Sequence, residues 1–162
     1  MKNEYYHKKE SVEEYISMTQ GLDNSDLHKA IENHINTGAK ILELGTGPGN
    51  DWRVLCKSYD IIGTDVSKEF LKHLRSQFPN GEFYNISATD IKIDQTFEAV
   101  YSNKVLHHLT DEELYKSVQE QANILSKEGL VIHTFWNGTG DEIFKGMFVN
   151  YHNKANLKTF FT

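Results

Sequence analysis

Cysteine is almost absent from this chain of 162 residues. Cys56 stands alone, so no internal disulfide can close, and a reducing cytoplasm is the expected setting. Proline is nearly as scarce: Pro48 and Pro79 both fall in turn sequence, which leaves no proline-rich linker to divide the chain. No run approaches the roughly 20 apolar residues of a membrane-spanning helix, and the opening Met1–Glu10 lacks the apolar stretch of a signal peptide. Excess positive charge is missing too. With 17 Lys and Arg against 23 Asp and Glu the formal charge is −6, which offers no basic footprint for phosphates and favours a small molecule over nucleic acid as partner. There is no internal repeat and no low-complexity tract, and an apolar share of 38% supplies one core. The expected organisation is a single domain over 1–162, with 1–38 a helical N-terminal lid and 39–162 the core.

What is present is a three-glycine turn set directly against an apolar strand, Ala39-Lys-Ile-Leu-Glu-Leu-Gly-Thr-Gly-Pro-Gly-Asn50. Glycine at 45, 47 and 49 lets bare backbone approach a ligand, and the amides that follow open a helix whose N-terminus carries partial positive charge. The dinucleotide fingerprint needs Gly or Ala at position 50, where this chain has Asn50, so the spacing leans away from NAD. Glu43 sits inside the strand, where a purely structural position would carry Val or Ile, and a buried acid needs a partner.

Strand and helix patterns alternate along the chain. Strands are expected at 39–45, 60–65, 82–87, 97–102 and 130–136, and helices at about 50–57, 67–77 and 110–126. An N-terminal helix is expected from Ser11, with Ser11 and Glu14 as a capping box and Val12, Tyr15, Ile16 and Leu22 as its apolar side; Thr110 and Glu113 form a second box. Such alternation predicts a doubly wound parallel α/β sheet, whose ligands lie beyond the carboxyl ends of the strands. Four clusters then meet on one rim: Gly45, Thr46, Gly47 and Gly49; Asp65 and Val66; Thr89, Asp90 and Ile91; and Ser102, Asn103 and Lys104.

The pattern Glu43-Leu-Gly-Thr-Gly-Pro-Gly49, followed by Ile61-Ile-Gly-Thr-Asp65, resembles the class I S-adenosylmethionine-dependent methyltransferases. The resemblance implies a Rossmann-like, mainly parallel sheet of order 3-2-1-4-5, with S-adenosylmethionine as cofactor and S-adenosylhomocysteine as product. It implies that Glu43 lies near the sulfonium and amino end of the cofactor and that Asp65, followed by Val66, takes the ribose hydroxyls. Asp90 would cap the adenine amino group and Ile91 pack on the ring, while the segment around Ser102 and Asn103 supplies main-chain contacts to the methionine part. Bland duties compete at each place: Asp65 with Ser67 as a helix cap, Asp90 as an ordinary turn residue, Lys104 as a solvated side chain.

His107 and His108 follow the fourth strand, and an imidazole titrates near neutrality. One is expected to point inward and the other to solvent; His107 is the choice if a general base is used. The pair has no Cys or acidic partners at ligand spacing, so no metal is expected. Phe135 and Trp136, with Tyr5, Tyr6, Tyr15 and Met18, are candidates for a pocket wall or lid suited to a sulfonium through cation–π attraction. No Asp/Asn-Pro-Pro-aromatic motif follows strand four, which counts against base methylation of nucleic acids.

After Trp136 the chain is expected to hold a loop and the start of a helix, with no sequence for the two further strands that complete the sheet of the family it resembles. Strand five would then be an exposed edge, and dimerisation along it, or a shortened form, is expected. Three readings stand at this point: a small-molecule methyltransferase, a SAM-binding module or truncated form without turnover, and, more distantly, an NAD-dependent oxidoreductase.

Overall fold

The computed structural model describes residues 3–161; Met1, Lys2 and Thr162, which the expected domain includes, lie outside the described residues. Five strands, β1 (Lys40–Glu43), β2 (Asp60–Thr64), β3 (Glu82–Tyr84), β4 (Phe97–Asn103) and β5 (Leu125–Thr134), form a parallel sheet of order β3-β2-β1-β4-β5. Its register pairs Glu43 with Gly63 on one side and Tyr101 on the other, which brings the carboxyl ends of β1, β2 and β4 level.

Strand periodicity sorts the core into two layers, because successive side chains leave opposite faces of a sheet. Ile41, Ile61, Ala99 and Tyr101 pack with Trp52, Leu71 and Leu74 on one face. Leu42, Ile62 and Val100 pack with Leu106, Leu114 and Ile124 on the other. The helices responsible are α2 (Ser25–His34), α3 (Trp52–Leu55) and α4 (Lys68–Gln77) on the first face and α5 (Asp111–Ile124) on the second. Helix α5 starts on the expected box: Thr110 Oγ1 accepts from the Glu113 amide at 3.2 Å and Glu113 Oε2 from the Thr110 amide at 2.8 Å. None of the described helices is long and apolar enough to cross a membrane.

The N-terminal region differs from its expectation. Helix α1 runs from Lys9 to Thr19, entered from a 3-10 turn at Glu4–His7, so Ser11 lies inside the first turn and makes no cap. Burial of Val12 fixes the helix instead, and Leu22, past its end, is 59% exposed. Helix α2 fills a stretch where the sequence reading marks no separate element.

The expectation that no sequence remains for two further strands is corrected. An antiparallel hairpin forms from β6 (Asp141–Phe144) and β7 (Met147–Asn150), followed by α6 (Lys154–Phe160). Lys145 at φ 50° and Gly146 at φ 76° make the two-residue turn, whose positive φ values match the twist of the strands. The hairpin stands apart from the main sheet, which ends on β5.

Candidate functional site

A cavity of about 350 Å³ opens where the first, second and fourth strands end. One wall is the glycine turn. At Gly45 (φ 62°) a Cβ would lie 2.6 Å from both Cγ atoms of Val105, and at Gly49 (φ 84°) 2.7 Å from Leu74 Cδ2, so neither place admits a side chain. The turn is fixed to β2: the Thr46 amide donates to Thr64 O at 2.8 Å, and the Thr64 amide to Thr46 Oγ1 at 2.9 Å.

Three buried acids gather here. Asp65 accepts the Gly47 amide at 2.9 Å on Oδ2 and the Ser67 amide at 2.8 Å on Oδ1. Burial pushes its carboxyl up, against the pull of those amides. Glu43 is 3% exposed; burial, then the charges of Asp51 and Asp65, hold its carboxyl well above the ordinary range. Its Oε2 is buried with no hydrogen-bond partner among the described residues, although it lines an open cavity. Asp51, which the sequence reading does not mark, accepts from Asn24, His28, Tyr101 and Asn103. An acid in the first turn after a glycine loop reads as ordinary helix-start sequence, so nothing in the chain distinguishes it.

The cavity brings together Glu43, Gly45, Thr46, Gly47, Asp65, Val66, Thr89 and Asn103. Four other expected contacts lie elsewhere. Gly49 is taken up with packing on Leu74 and Phe78. Ile91 is buried in the core beside Leu42 and Phe97, and the Asp90 carboxylate turns outward to Lys92 Nζ at 2.9 Å. Ser102 Oγ is bonded to His133 Nδ1 at 2.7 Å, whose Nε2 meets Gln121 Oε1 at 2.7 Å, a chain that runs away from the cavity. Ile86 and Ala88 stand at the cavity wall with Thr89.

His107, the expected choice for a base, lies inside the fold. The 3-10 turn at Leu106–His108 buries it to 2% exposure, stacked on Trp136 at 4.8 Å and 15°, and burial first, then the neighbouring His108, lowers it to about 3. His108 takes the cavity wall instead. Its Nδ1 lies 2.8 Å from Phe148 O, which can only accept, so Nδ1 carries the proton. In the neutral ring Nε2 is then the acceptor for the Tyr6 hydroxyl at 3.1 Å. Burial pushes the Tyr6 phenol up, so it stays a donor.

Of the expected lid aromatics, Tyr6 and Tyr15 line the cavity, packed edge-on at 5.6 Å and flanked by Phe70. Tyr5 bonds Glu14, Met18 is 58% exposed, Phe135 packs on the core, and Trp136 covers His107. The arrangement amounts to an acid-rich, partly aromatic chamber with an unsatisfied buried acceptor and one imidazole of fixed tautomer.

Comparison with known proteins matches residues 41–129 to the family described as a methyltransferase domain. An uncharacterized methyltransferase of Oceanobacillus iheyensis is 29% identical over 103 residues, which is 60% of this chain and 46% of that protein. The trans-aconitate 2-methyltransferase of Variovorax paradoxus is 32% identical over 79 residues, covering 46% of this chain and 30% of the relative. The chain thus spans about half or less of the length of these relatives. In structure it superposes on Streptomyces venezuelae DesVI with a TM-score of 0.76 at 16% identity, covering 94% of this chain and 88% of the other. A DhpI complex with SAM and HEP gives 0.75 at 20% identity, covering 96% and 83%.

Proposed function

Because the chain belongs to the methyltransferase-domain family, of the class I S-adenosylmethionine-dependent kind, we propose that it transfers a methyl group from S-adenosylmethionine to a small-molecule acceptor. The observation that carries this reading is the buried Glu43 Oε2 without a partner at the end of the glycine turn. A buried acceptor left unpaired costs about 1–3 kcal/mol, and an ammonium or sulfonium ligand beside it removes that cost. The cradle fits the same ligand: bare backbone at Gly45 and Gly47, and a second carboxylate at Asp65 with lone pairs left over for hydroxyls.

S-adenosylmethionine, when bound, supplies an already activated methyl group, so the protein has mainly to hold, orient and exclude water. Glu43, Gly45, Thr46, Gly47, Asp65, Val66, Thr89 and Asn103 hold the cofactor in this reading. Gly49, Asp90, Ile91 and Ser102 support the walls rather than touch it. The N-terminal cover, through Tyr6 and Tyr15, closes the chamber against water. His108 Nε2, with Tyr6, is the group placed to take a proton from a hydroxyl or amine acceptor, in place of the expected His107.

A chamber of about 350 Å³ and a charge of −6 support a small acceptor over a nucleic acid. A cytoplasmic setting is part of the same reading, supported by one free, exposed thiol, Cys56. So is a homodimer paired along β5, supported by a main sheet that ends there; a clean monomer in light scattering removes that part.

The deciding experiment is calorimetric titration with S-adenosylmethionine, S-adenosylhomocysteine and NADH. Saturable binding of both adenosyl compounds and none of NADH is expected. Absence of binding by both overturns the reading.

A further inference from the structure

Asp51 accepts four side-chain hydrogen bonds, two on each oxygen. Asn24 Nδ2 and His28 Nε2 reach Oδ1 at 3.0 and 2.7 Å, while Tyr101 Oη and Asn103 Nδ2 reach Oδ2 at 2.9 and 3.1 Å. These donors come from two separate parts of the fold and meet on a third. Asn24 and His28 belong to the N-terminal cover, Tyr101 and Asn103 to the end of β4, and Asp51 itself follows the glycine turn. The carboxylate is 8% exposed and lies close enough to Glu43 for its charge to push the Glu43 carboxyl up.

The chain of bonds continues to a strained backbone. Asn103 Oδ1 accepts from Thr134 Oγ1 at 2.6 Å, and Thr134 Oγ1 accepts from the Lys104 amide at 2.8 Å. Lys104 is held at φ 56°, a left-handed conformation that a non-glycine residue adopts only when its surroundings impose it. Asn103 and Lys104 both line the cavity. On the other side, Asn50 Nδ2 meets Thr19 O at 3.2 Å and Thr19 Oγ1 at 3.3 Å, so the cover is joined to the glycine turn at consecutive residues.

We infer that Asp51 is a positioning residue for the cofactor, latching the N-terminal cover to the glycine turn and holding the Asn103–Lys104 backbone at the cavity wall. The inference rests on the cavity being the S-adenosylmethionine site. Asp51 acts through its partners: the cover cannot lift at Asn24 and His28 without stripping Oδ1, and Asn103 cannot turn without stripping Oδ2. Ligand exchange therefore requires this latch to break, and its strength sets the residence time of the bound nucleoside.

The test measures association and dissociation of S-adenosylhomocysteine on the whole chain by surface plasmon resonance, with amide hydrogen exchange read in parallel. Asp51→Asn keeps the shape but turns one acceptor oxygen into a donor facing donors. Dissociation at least tenfold faster is expected, with faster exchange across α2 and unchanged exchange in α4 of the ligand-free protein. A purely structural role would lower the melting temperature without changing dissociation from the folded protein. Should Asp51→Asn fail to fold, the double variant Asn24→Ala/His28→Gln cuts only the cover side and leaves Tyr101 and Asn103 in place; severalfold faster dissociation is expected again. Wild-type dissociation rates in the folded variants overturn the inference while leaving the cofactor site intact. Failure of the wild-type chain to bind S-adenosylhomocysteine overturns the cofactor reading and the inference with it.

Discussion

Gly47 and Asp65 are joined across 18 positions of sequence by one hydrogen bond, amide to Oδ2 at 2.9 Å, while Oδ1 takes the Ser67 amide at 2.8 Å. The carboxylate thus ties the glycine turn to the start of α4 and is itself held in one orientation at the cavity wall. A carboxylate has about four lone-pair sites, so two fixed bonds leave acceptors for a ligand's hydroxyls.

Replacing Asp65 by Ala should weaken S-adenosylhomocysteine by ~1–3 kcal/mol, the cost of leaving polar partners unmatched in a buried site. Isothermal titration of Asp65→Ala and Asp65→Asn checks this; the Asn variant keeps the shape and one of the two amide bonds, so its loss should be the smaller. Unchanged affinity in both variants would remove Asp65 from the site.

Glu43 gives a pH dependence with a definite sign. Its carboxyl is held well above the ordinary range, so the native state binds more protons than the unfolded chain between the unfolded and folded values. Ligand-free stability is therefore greatest below the ordinary Glu range and declines as pH rises toward the raised folded value; Asp65, also raised, adds to the decline. Glu43→Gln should stabilise the ligand-free protein at pH 8 by ~0.5–2 kcal/mol and flatten the curve, while weakening S-adenosylmethionine. Thermal melts at pH 5 and 8 with and without ligand read both effects, and a variant no more stable than wild type at pH 8 would show that Glu43 is not strained in the empty site.

At Gly45 a methyl group meets both Cγ atoms of Val105 at 2.6 Å, on a backbone at φ 62°. Gly45→Ala should destabilise by ~1–3 kcal/mol through overpacking and the left-handed conformation together. Adding Val105→Ala relieves only the clash, so denaturant unfolding of the double variant should recover part of the loss. Full recovery would mean that the backbone conformation contributes nothing.

Much of this arrangement is legible in the chain because it rests on period and spacing. Alternation at Ile41 and Leu42 and at Ala99 and Val100 gives the two faces of the sheet, and an acid at the end of each of the first two strands marks the rim. The hairpin signal is also in the chain, in Lys145-Gly146 between apolar residues. The rest depends on packing that no local pattern carries. Ser11 offers a cap but sits within a helix that a preceding 3-10 turn has already started. Asp51 acquires its meaning from donors as far away as Asn24 and Asn103. His107 and His108 are adjacent in a tight turn, where neither strand nor helix period tells which faces inward.

That last ambiguity yields a direct contrast. His107 is buried against Trp136, whereas His108 turns Nε2 to Tyr6, with Phe148 O setting the tautomer of the neutral ring. A base placed this way contributes about 10²–10⁴-fold to proton transfer when the acceptor is a hydroxyl or a protonated amine. His108→Gln should therefore cut kcat by about that factor, with S-adenosylhomocysteine affinity within about threefold of wild type. Tyr6→Phe removes a donor but leaves the imidazole, so its loss should be smaller. His107→Asn removes a stacked ring from the core and should lower Tm while kcat of the folded fraction stays close to wild type. Product formation with an acceptor drawn from a small-molecule screen, measured alongside melting curves, separates the two histidines. If His107→Asn abolishes turnover in a folded protein and His108→Gln does not, the cavity-facing imidazole is not the proton acceptor, and the buried one acts through the hydrogen bonds and packing of its neighbours.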